Sequence, residues 1–119
     1  MDRRKSWLLP ILAFVRKAPP MVISDERVES LDAFIRAYGL ARMDLGVARM
    51  SAEDAELVAA FNSWLGRRMN WAQNDKWPAY VRHADSGPKN VYTFFALLEE
   101  FLATTGRSLD DVKPWKFAK

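Results

Sequence analysis

The segment NVYTFFALLEEFLATTG, residues 90–106, has the strongest helical pattern in the chain. Its apolar residues recur at spacings of three and four, which puts them on one face of an α-helix. The residues expected to face a core are Val91, Phe94, Phe95, Leu98, Phe101 and Leu102. Gly106 suits the position just after a helix. We therefore predict a last long helix from about residue 88 to 105, followed by a tail over 107–119 that makes one turn and packs through Trp115 or Phe117.

The same periodicity predicts a first helix over about residues 6–17. Ser6 is the expected N-cap, because a serine side chain can accept a hydrogen bond from the first helical N–H groups. Pro19 and Pro20 are expected to end this helix, since proline disfavours helical geometry at the residue before it. Met21 to Ile23 are then predicted to form a short extended connector.

A second helix is predicted to start at a cap on Ser24 or Asp25 and to end near Gly46. Acidic residues fill its first turn, as the helix macrodipole favours. Its apolar stripe comprises Val28, Leu31, Phe34, Ile35, Tyr38, Ala41 and Leu45.

The clearest helix start is SAED, residues 51–54, in which Ser51 and Asp54 approximate a capping box. The helix that follows should fray near Gly66 or Asn70. Its inward residues are expected to be Leu57, Val58, Phe61, Trp64, Leu65 and Met69. A shorter helix is predicted around residues 78–84.

These segments together predict the fold class. No strand-type alternation, internal repeat or low-complexity tract occurs in the 119 residues. The five tryptophans and seven phenylalanines form a large aromatic fraction for one small domain. We predict an all-α fold over residues 1–119: a compact single-domain bundle of four to five short helices around an aromatic-rich core.

The segment RKAPPMVI, residues 16–23, has a local likeness to the entry segment of gyrase-type ATPases. Phosphate binding requires backbone amides to approach the ligand closely, which glycine-rich loops allow. The five glycines here are scattered along the chain and form no such loop. Nucleotide binding is therefore not predicted, and no cofactor is expected.

Catalytic and metal chemistry is also not expected. The chain contains no cysteine, so it has no thiolate ligand, disulfide or cysteine nucleophile. His83 is the only histidine, which excludes a multi-histidine metal site. The acidic and serine residues form no pattern of nucleophile, base and orienting group. We predict a protein that is not an enzyme and holds no metal.

The N-terminal region superficially resembles a signal peptide, because basic residues precede an apolar stretch at residues 7–15. That stretch ends in Arg16-Lys17 and two prolines instead of a cleavage site with small residues. It is also much shorter than the roughly 20 residues of a membrane span. We predict a cytoplasmic protein.

The net charge of +3 is unevenly distributed: residues 1–24 carry +4, residues 25–60 carry −4 and residues 61–119 carry +3. A protein partner fits this pattern better than nucleic acid does, because the best helices expose acidic and small residues. Tryptophan, tyrosine and arginine, which are common at interface hot spots, cluster in one irregular segment. The candidate contacts there are Arg67, Arg68, Trp71, Lys76, Trp77, Tyr80 and Arg82. Trp71 and Trp77 also have the alternative of lying in the core.

Five acidic residues offer a complementary surface for a basic partner. They are Asp25, Glu29, Asp32, Glu53 and Glu56. The alternative for these residues is that they are solvated side chains matched to helix dipoles.

The order of motifs also resembles a known class of protein. The segments that carry the resemblance are RKAPPMVI at 16–23, SLDAFIRAYGLA at 30–41, FNSWL at 61–65, DKWPAYVRHAD at 75–85 and TFFALLEEFL at 93–102. They are similar to small helical bacterial immunity proteins that accompany polymorphic toxins of the Rhs, contact-dependent and secreted types. The resemblance implies neutralisation of a cognate toxin, encoded by an adjacent gene, through non-covalent binding and occlusion. The resemblance does not assign a binding role to any individual residue.

The leading hypothesis from the sequence is therefore an immunity protein. A small helical nucleic-acid-binding or regulatory protein is the alternative, since basic residues at both ends of the chain could contact phosphates. A third alternative is an accessory subunit of a larger complex, which would expose a large apolar patch.

Overall fold

The computed structural model describes residues 6–44, 51–70 and 75–114. Every regular element in these ranges is helical, and the all-α prediction is confirmed. The α-helices are α1 (Leu8–Lys17), α2 (Pro19–Val22), α3 (Val28–Asp44), α4 (Ala52–Arg68), α5 (Trp77–Ala84) and α6 (Val91–Ala103), followed by a 3-10 turn at Leu109–Asp111. The short helix α2 makes the count of α-helices in these ranges six, compared with the four to five predicted.

Helix α6 provides the centre of the core, as its periodicity predicts. All six residues expected to face inward are buried, and Leu97 joins them. The helix begins at Val91, because residues 88–90 form the turn that precedes it. It ends at Ala103, and Gly106 then adopts a φ of 72°, a left-handed conformation that glycine adopts without steric cost.

Aromatic rings of α4 and α5 pack against the aromatic rings of α6. The Phe94 ring lies 4.9 Å from that of Trp77 and 5.9 Å from that of Phe61, the latter edge to face. Phe61 also lies 5.3 Å from Phe101. These separations are those of favourable aromatic pairs. The aromatic-rich core is therefore confirmed.

The start of α1 differs from the prediction. Ser6 does not cap the helix; its hydroxyl donates a hydrogen bond to the carboxylate of Asp54 on α4. The same carboxylate accepts from the backbone N–H groups of Trp7 and Leu8, at 2.9 and 3.1 Å. A charged group supplied by a distant helix therefore replaces the local serine cap, and the first residue of α1 is Leu8.

The predicted extended connector at Met21 to Ile23 is wrong. Pro19 and Pro20 end α1 as expected, but they then begin α2, which extends through Val22. Proline is well suited to the first positions of a helix, because its φ is already helical and its missing N–H would have no partner there. The Ile23 N–H donates to the Pro19 carbonyl at 2.7 Å and closes this single turn.

The start of α3 also lies later than predicted. Asp25 accepts hydrogen bonds from the Arg27 N–H and the Ser30 hydroxyl, but it does not begin the helix. The first helical residue is Val28, whose N–H donates to the side chain of Asn90 at 2.8 Å. Asn90 is fully buried, so the cap is again supplied from a distant part of the chain.

The apolar stripe of α3 is partly confirmed. Its first half, Val28, Leu31 and Ile35, is buried, while Ala41 is exposed. Phe34 and Tyr38 pack against the core while partly exposed. The predicted stripe residue Leu45 and the predicted helix end at Gly46 lie outside the described residues.

Helix α4 begins as the sequence predicts. The Ser51 side chain accepts a hydrogen bond from the Asp54 N–H at 3.0 Å. Phe61 and Leu65 are buried, and the other four predicted inward residues of α4 pack partly buried against the core. The predicted short helix is α5, and the predicted single turn of the tail is the 3-10 turn, with Leu109 buried. Trp115 and Phe117 lie outside the described residues.

The turn between α5 and α6 gives a testable pH dependence. The Asp85 carboxylate accepts from the Thr93 hydroxyl at 2.6 Å and from the Gly87 N–H at 2.8 Å. These bonds hold the pKa of Asp85 below its ordinary value of 3.8, with the Thr93 bond the larger cause. Asp85 therefore contributes stability above pH 3.8, and this contribution is lost as the pH falls through the lower, folded-state pKa.

We expect Thr93→Val to raise the pKa of Asp85 towards its ordinary value, measured by NMR titration of the side-chain carboxyl. Ser86→Ala, in the same turn, is the control and should leave the titration unchanged. An equal pKa in native protein and Thr93→Val would contradict the role of the hydroxyl.

Candidate functional site

The described basic and aromatic residues of the irregular aromatic–arginine segment do not lie together on one exposed surface. Its four basic residues are all exposed: Arg67, Arg68, Lys76 and Arg82. Arg68 pairs with Glu100 of α6 at 2.6 Å, which raises the pKa of Arg68. Arg82 lies 3.7 Å from Glu29 of α3. Two of its four basic side chains are thus paired with carboxylates of this chain.

The aromatic residues of that segment require a correction. Trp77 is 8% exposed and packs on Phe94, while Tyr80 is 2% exposed. The backbone N–H of Trp77 donates to the Asn62 side-chain oxygen at 2.8 Å, and the Tyr80 hydroxyl accepts from the backbone N–H of Asp75 at 3.1 Å. Pro78 follows Trp77 at the start of α5, and this amphipathic helix turns both rings into the core. They are therefore core residues that cannot stack on bases, and Trp71 lies outside the described residues.

Three of the predicted acidic residues are engaged within the chain. Asp25 holds the turn before α3, and its bonds to Ser30 and then Arg27 lower its pKa. Glu29 has both Arg27 and Arg82 at 3.7 Å. Asp32 pairs with Arg36 at 2.8 Å, four residues along α3. Each of these carboxylates therefore has an intramolecular partner.

The other two acidic residues occupy a different position. Glu53 and Glu56 lie exposed on the first two turns of α4. None of the ion pairs found within residues 6–44, 51–70 and 75–114 involves either of them. They are the predicted acidic residues with charges left to attract a basic group.

Glu53 and Glu56 border a surface groove of about 460 Å³, called here the α1/α4/α6 groove. Its remaining lining comes from three places: Ser6, Leu9 and Pro10 at the start of the chain; Asp54, Leu57 and Ala60 on α4; and Phe101, Leu102, Thr105, Arg107 and Val112 at the end of α6 and beyond. Among the described residues, the groove thus combines apolar side chains with two exposed glutamates and the basic residue Arg107.

Asp54 is the groove residue that sequence reasoning assigned only to local helix capping. It is 0% exposed, and its three acceptor bonds join α4 to the first residues of α1. Its place in the capping box with Ser51 already explains an acidic residue there, so the local pattern gives no sign that its carboxylate reaches α1. Its carboxylate shapes one end of the groove by fixing where α1 begins.

Within the described parts of the chain, no three histidine, cysteine, aspartate or glutamate residues are placed to hold a metal ion. In those same parts, no helix has the length and apolarity needed to cross a membrane. His83 is exposed at the end of α5.

Compared with models of protein families, with curated proteins and with solved structures, the chain matches none of them.

Proposed function

We propose that this protein is an immunity protein that neutralises a cognate toxin by direct, non-covalent binding, and that the α1/α4/α6 groove receives a basic segment of that toxin. The order of motifs along the chain, which resembles that of small helical immunity proteins, supports this class of function. The observation that carries the proposal is the groove itself, where Glu53 and Glu56, which take part in none of the ion pairs among the described residues, lie beside apolar side chains.

The chemistry of the groove selects a basic and amphipathic partner. Glu53 and Glu56 attract lysine or arginine, and Arg107 is the basic residue among the described residues that line the groove. Pro10, Leu57 and Val112 line the groove while partly exposed, and they supply apolar surface that the aliphatic stem of a long basic side chain can cover. A toxin segment of this kind buries its apolar part and keeps its charge beside the carboxylates.

Binding at this site needs little rearrangement of the immunity protein. The groove walls belong to α1, α4 and α6, and Asp54 ties α1 to α4 through three hydrogen bonds. A preorganised surface loses less conformational entropy on association than a flexible one does. Once bound, the domain blocks access to the toxin by its size. The immunity protein therefore needs no catalytic group.

The test is co-expression with the product of the adjacent upstream gene, together with co-purification of the two proteins. We expect the native chain to protect cells and to form a stable complex. The variant Glu53→Gln/Glu56→Gln should bind the toxin about ten-fold more weakly or worse, because close interfacial charge pairs contribute that much or more. The loss should shrink as salt is raised, since salt screens the native attraction.

The matched control is Ala59→Lys/Ser63→Lys, which changes the net charge by the same +2 at exposed positions of the same helix. It should bind like the native protein. Absence of both complex and protection with the native chain would overturn the proposed function. If the two double variants bound the toxin with equal affinity, the immunity function would stand, but the α1/α4/α6 groove would not be the binding site.

A further inference from the structure

A second depression lies between α3 and α4 and has a different character from the groove. It is a cavity of about 180 Å³, called here the α3/α4 cavity. Its floor consists of core side chains, among them Trp7, Phe61, Trp77 and Phe94. Leu57 borders both depressions, and the other residues that line the cavity are distinct from those of the groove.

From this cavity we infer a binding site for a small, neutral aromatic molecule that carries a hydrogen-bond donor, of the phenol or indole class. Size is the first argument. Protein interiors are close-packed and contain few voids larger than a water molecule. An apolar cavity of about 150 Å³ stays dry and binds benzene, so a space of 180 Å³ admits a somewhat larger ring system.

The floor favours a ring over an alkyl chain. Four of the residues that line the cavity are aromatic, and the Trp77 and Phe94 rings are tilted by 47° to each other. Two of the rings that line the cavity are therefore not parallel, and a flat aromatic guest that stacks on one of them lies tilted to the other. Aromatic pairs in offset or edge-to-face arrangements gain more than their buried area alone provides.

The residues at the mouth of the α3/α4 cavity determine which polar group the ligand carries. Asp32 and Arg36 lie there, with side chains 21% and 67% exposed, and Arg36 Nη2 pairs with Asp32 Oδ2 at 2.8 Å. Because this pair is neutral overall, neither a cationic nor an anionic ligand is favoured. Asp32 Oδ1 has no bonded donor among the residues that the structure describes. A ligand O–H or N–H can donate to this oxygen while its ring occupies the cavity.

The probe pair is indole and indene, which share a two-ring shape and differ in the N–H donor. Calorimetric titration of the full chain should show saturable one-to-one binding of indole, with the negative heat-capacity change that apolar burial produces. Indene should bind about ten-fold more weakly, because it leaves the hydrogen bond to the carboxylate unmade. No saturable binding of indole, or equal affinity for the two probes, would overturn the inference.

Two variants test whether the ligand binds in the α3/α4 cavity. Val58→Phe adds a ring at a residue that lines the cavity and should abolish indole binding. The neighbouring exposed residue provides the control, Ala59→Phe, which should bind as the native protein does. If Val58→Phe does not fold, the variant Asp32→Ala tests the site instead. It should lower the affinity for indole to the value for indene, and it should leave the affinity for indene unchanged. Retained indole binding in a folded Val58→Phe, or an unchanged preference for indole in Asp32→Ala, would contradict the site.

Discussion

Replacing Asp54 by alanine is expected to lower the free energy of unfolding by about 3 to 5 kcal/mol, close to the total stability of a marginal domain. The Asp54 carboxylate is fully buried, and its Oδ2 accepts the N–H groups of both Trp7 and Leu8. Alanine would leave these two donors without a partner, and each unsatisfied buried donor costs about 1 to 3 kcal/mol. Loss of the negative charge at the N-terminus of α1 adds to the cost.

Equilibrium unfolding in urea measures this effect, and two further variants identify its origin. Asp54→Asn keeps the shape and one acceptor oxygen, so it should cost less than alanine, about 1 to 2 kcal/mol. Glu53→Ala removes an exposed carboxylate from the same helical turn and should change stability by no more than about 0.5 kcal/mol. A cost for Asp54→Ala no larger than that for Glu53→Ala would refute the role of this carboxylate in holding α1.

Asp54 also shows where the sequence is informative and where it is not. Periodicity and proline placement predict α1, α4 and α6, because these signals depend on residues three or four positions apart. The caps of α1 and α3 come from Asp54 and Asn90, which lie 46 and 62 positions from the N–H groups they accept. Such pairings exist only after the helices pack, so a local reading assigns the caps to nearby serine and aspartate residues.

The candidate site is subject to the same limit. Residue type and spacing identify Glu53 and Glu56 as acidic positions, but they do not reveal which carboxylates the fold pairs with arginine. Glu29 and Arg82 are far apart in sequence and lie 3.7 Å apart in space. Tryptophan and tyrosine suit cores and interfaces equally well, and only packing places Trp77 and Tyr80 inside. The groove, built from three separate segments, has no local signature.

Phe94→Ala is the second variant with a large expected effect, about 3 to 5 kcal/mol of lost stability. The Phe94 ring is 2% exposed and contacts rings on three sides, with the centroids of Trp77, Phe95 and Phe61 at 4.9, 5.0 and 5.9 Å. Truncation removes these contacts and leaves a void. Because Phe94 also borders the α3/α4 cavity, that void would join an existing space, which neighbouring side chains cannot easily fill.

Chemical unfolding of Phe94→Ala beside Phe94→Leu and Leu40→Ala separates packing from general loss of apolar surface. Phe94→Leu keeps most of the volume and should cost about 1.5 kcal/mol or less. Leu40 is 54% exposed, so its truncation should change stability by about 0.5 kcal/mol at most. A loss for Phe94→Ala that stayed near that of Leu40→Ala would mean that the rings around α6 do not form the stabilising core. A large loss would instead show that these rings, which also line the α3/α4 cavity, stabilise the fold by their packing.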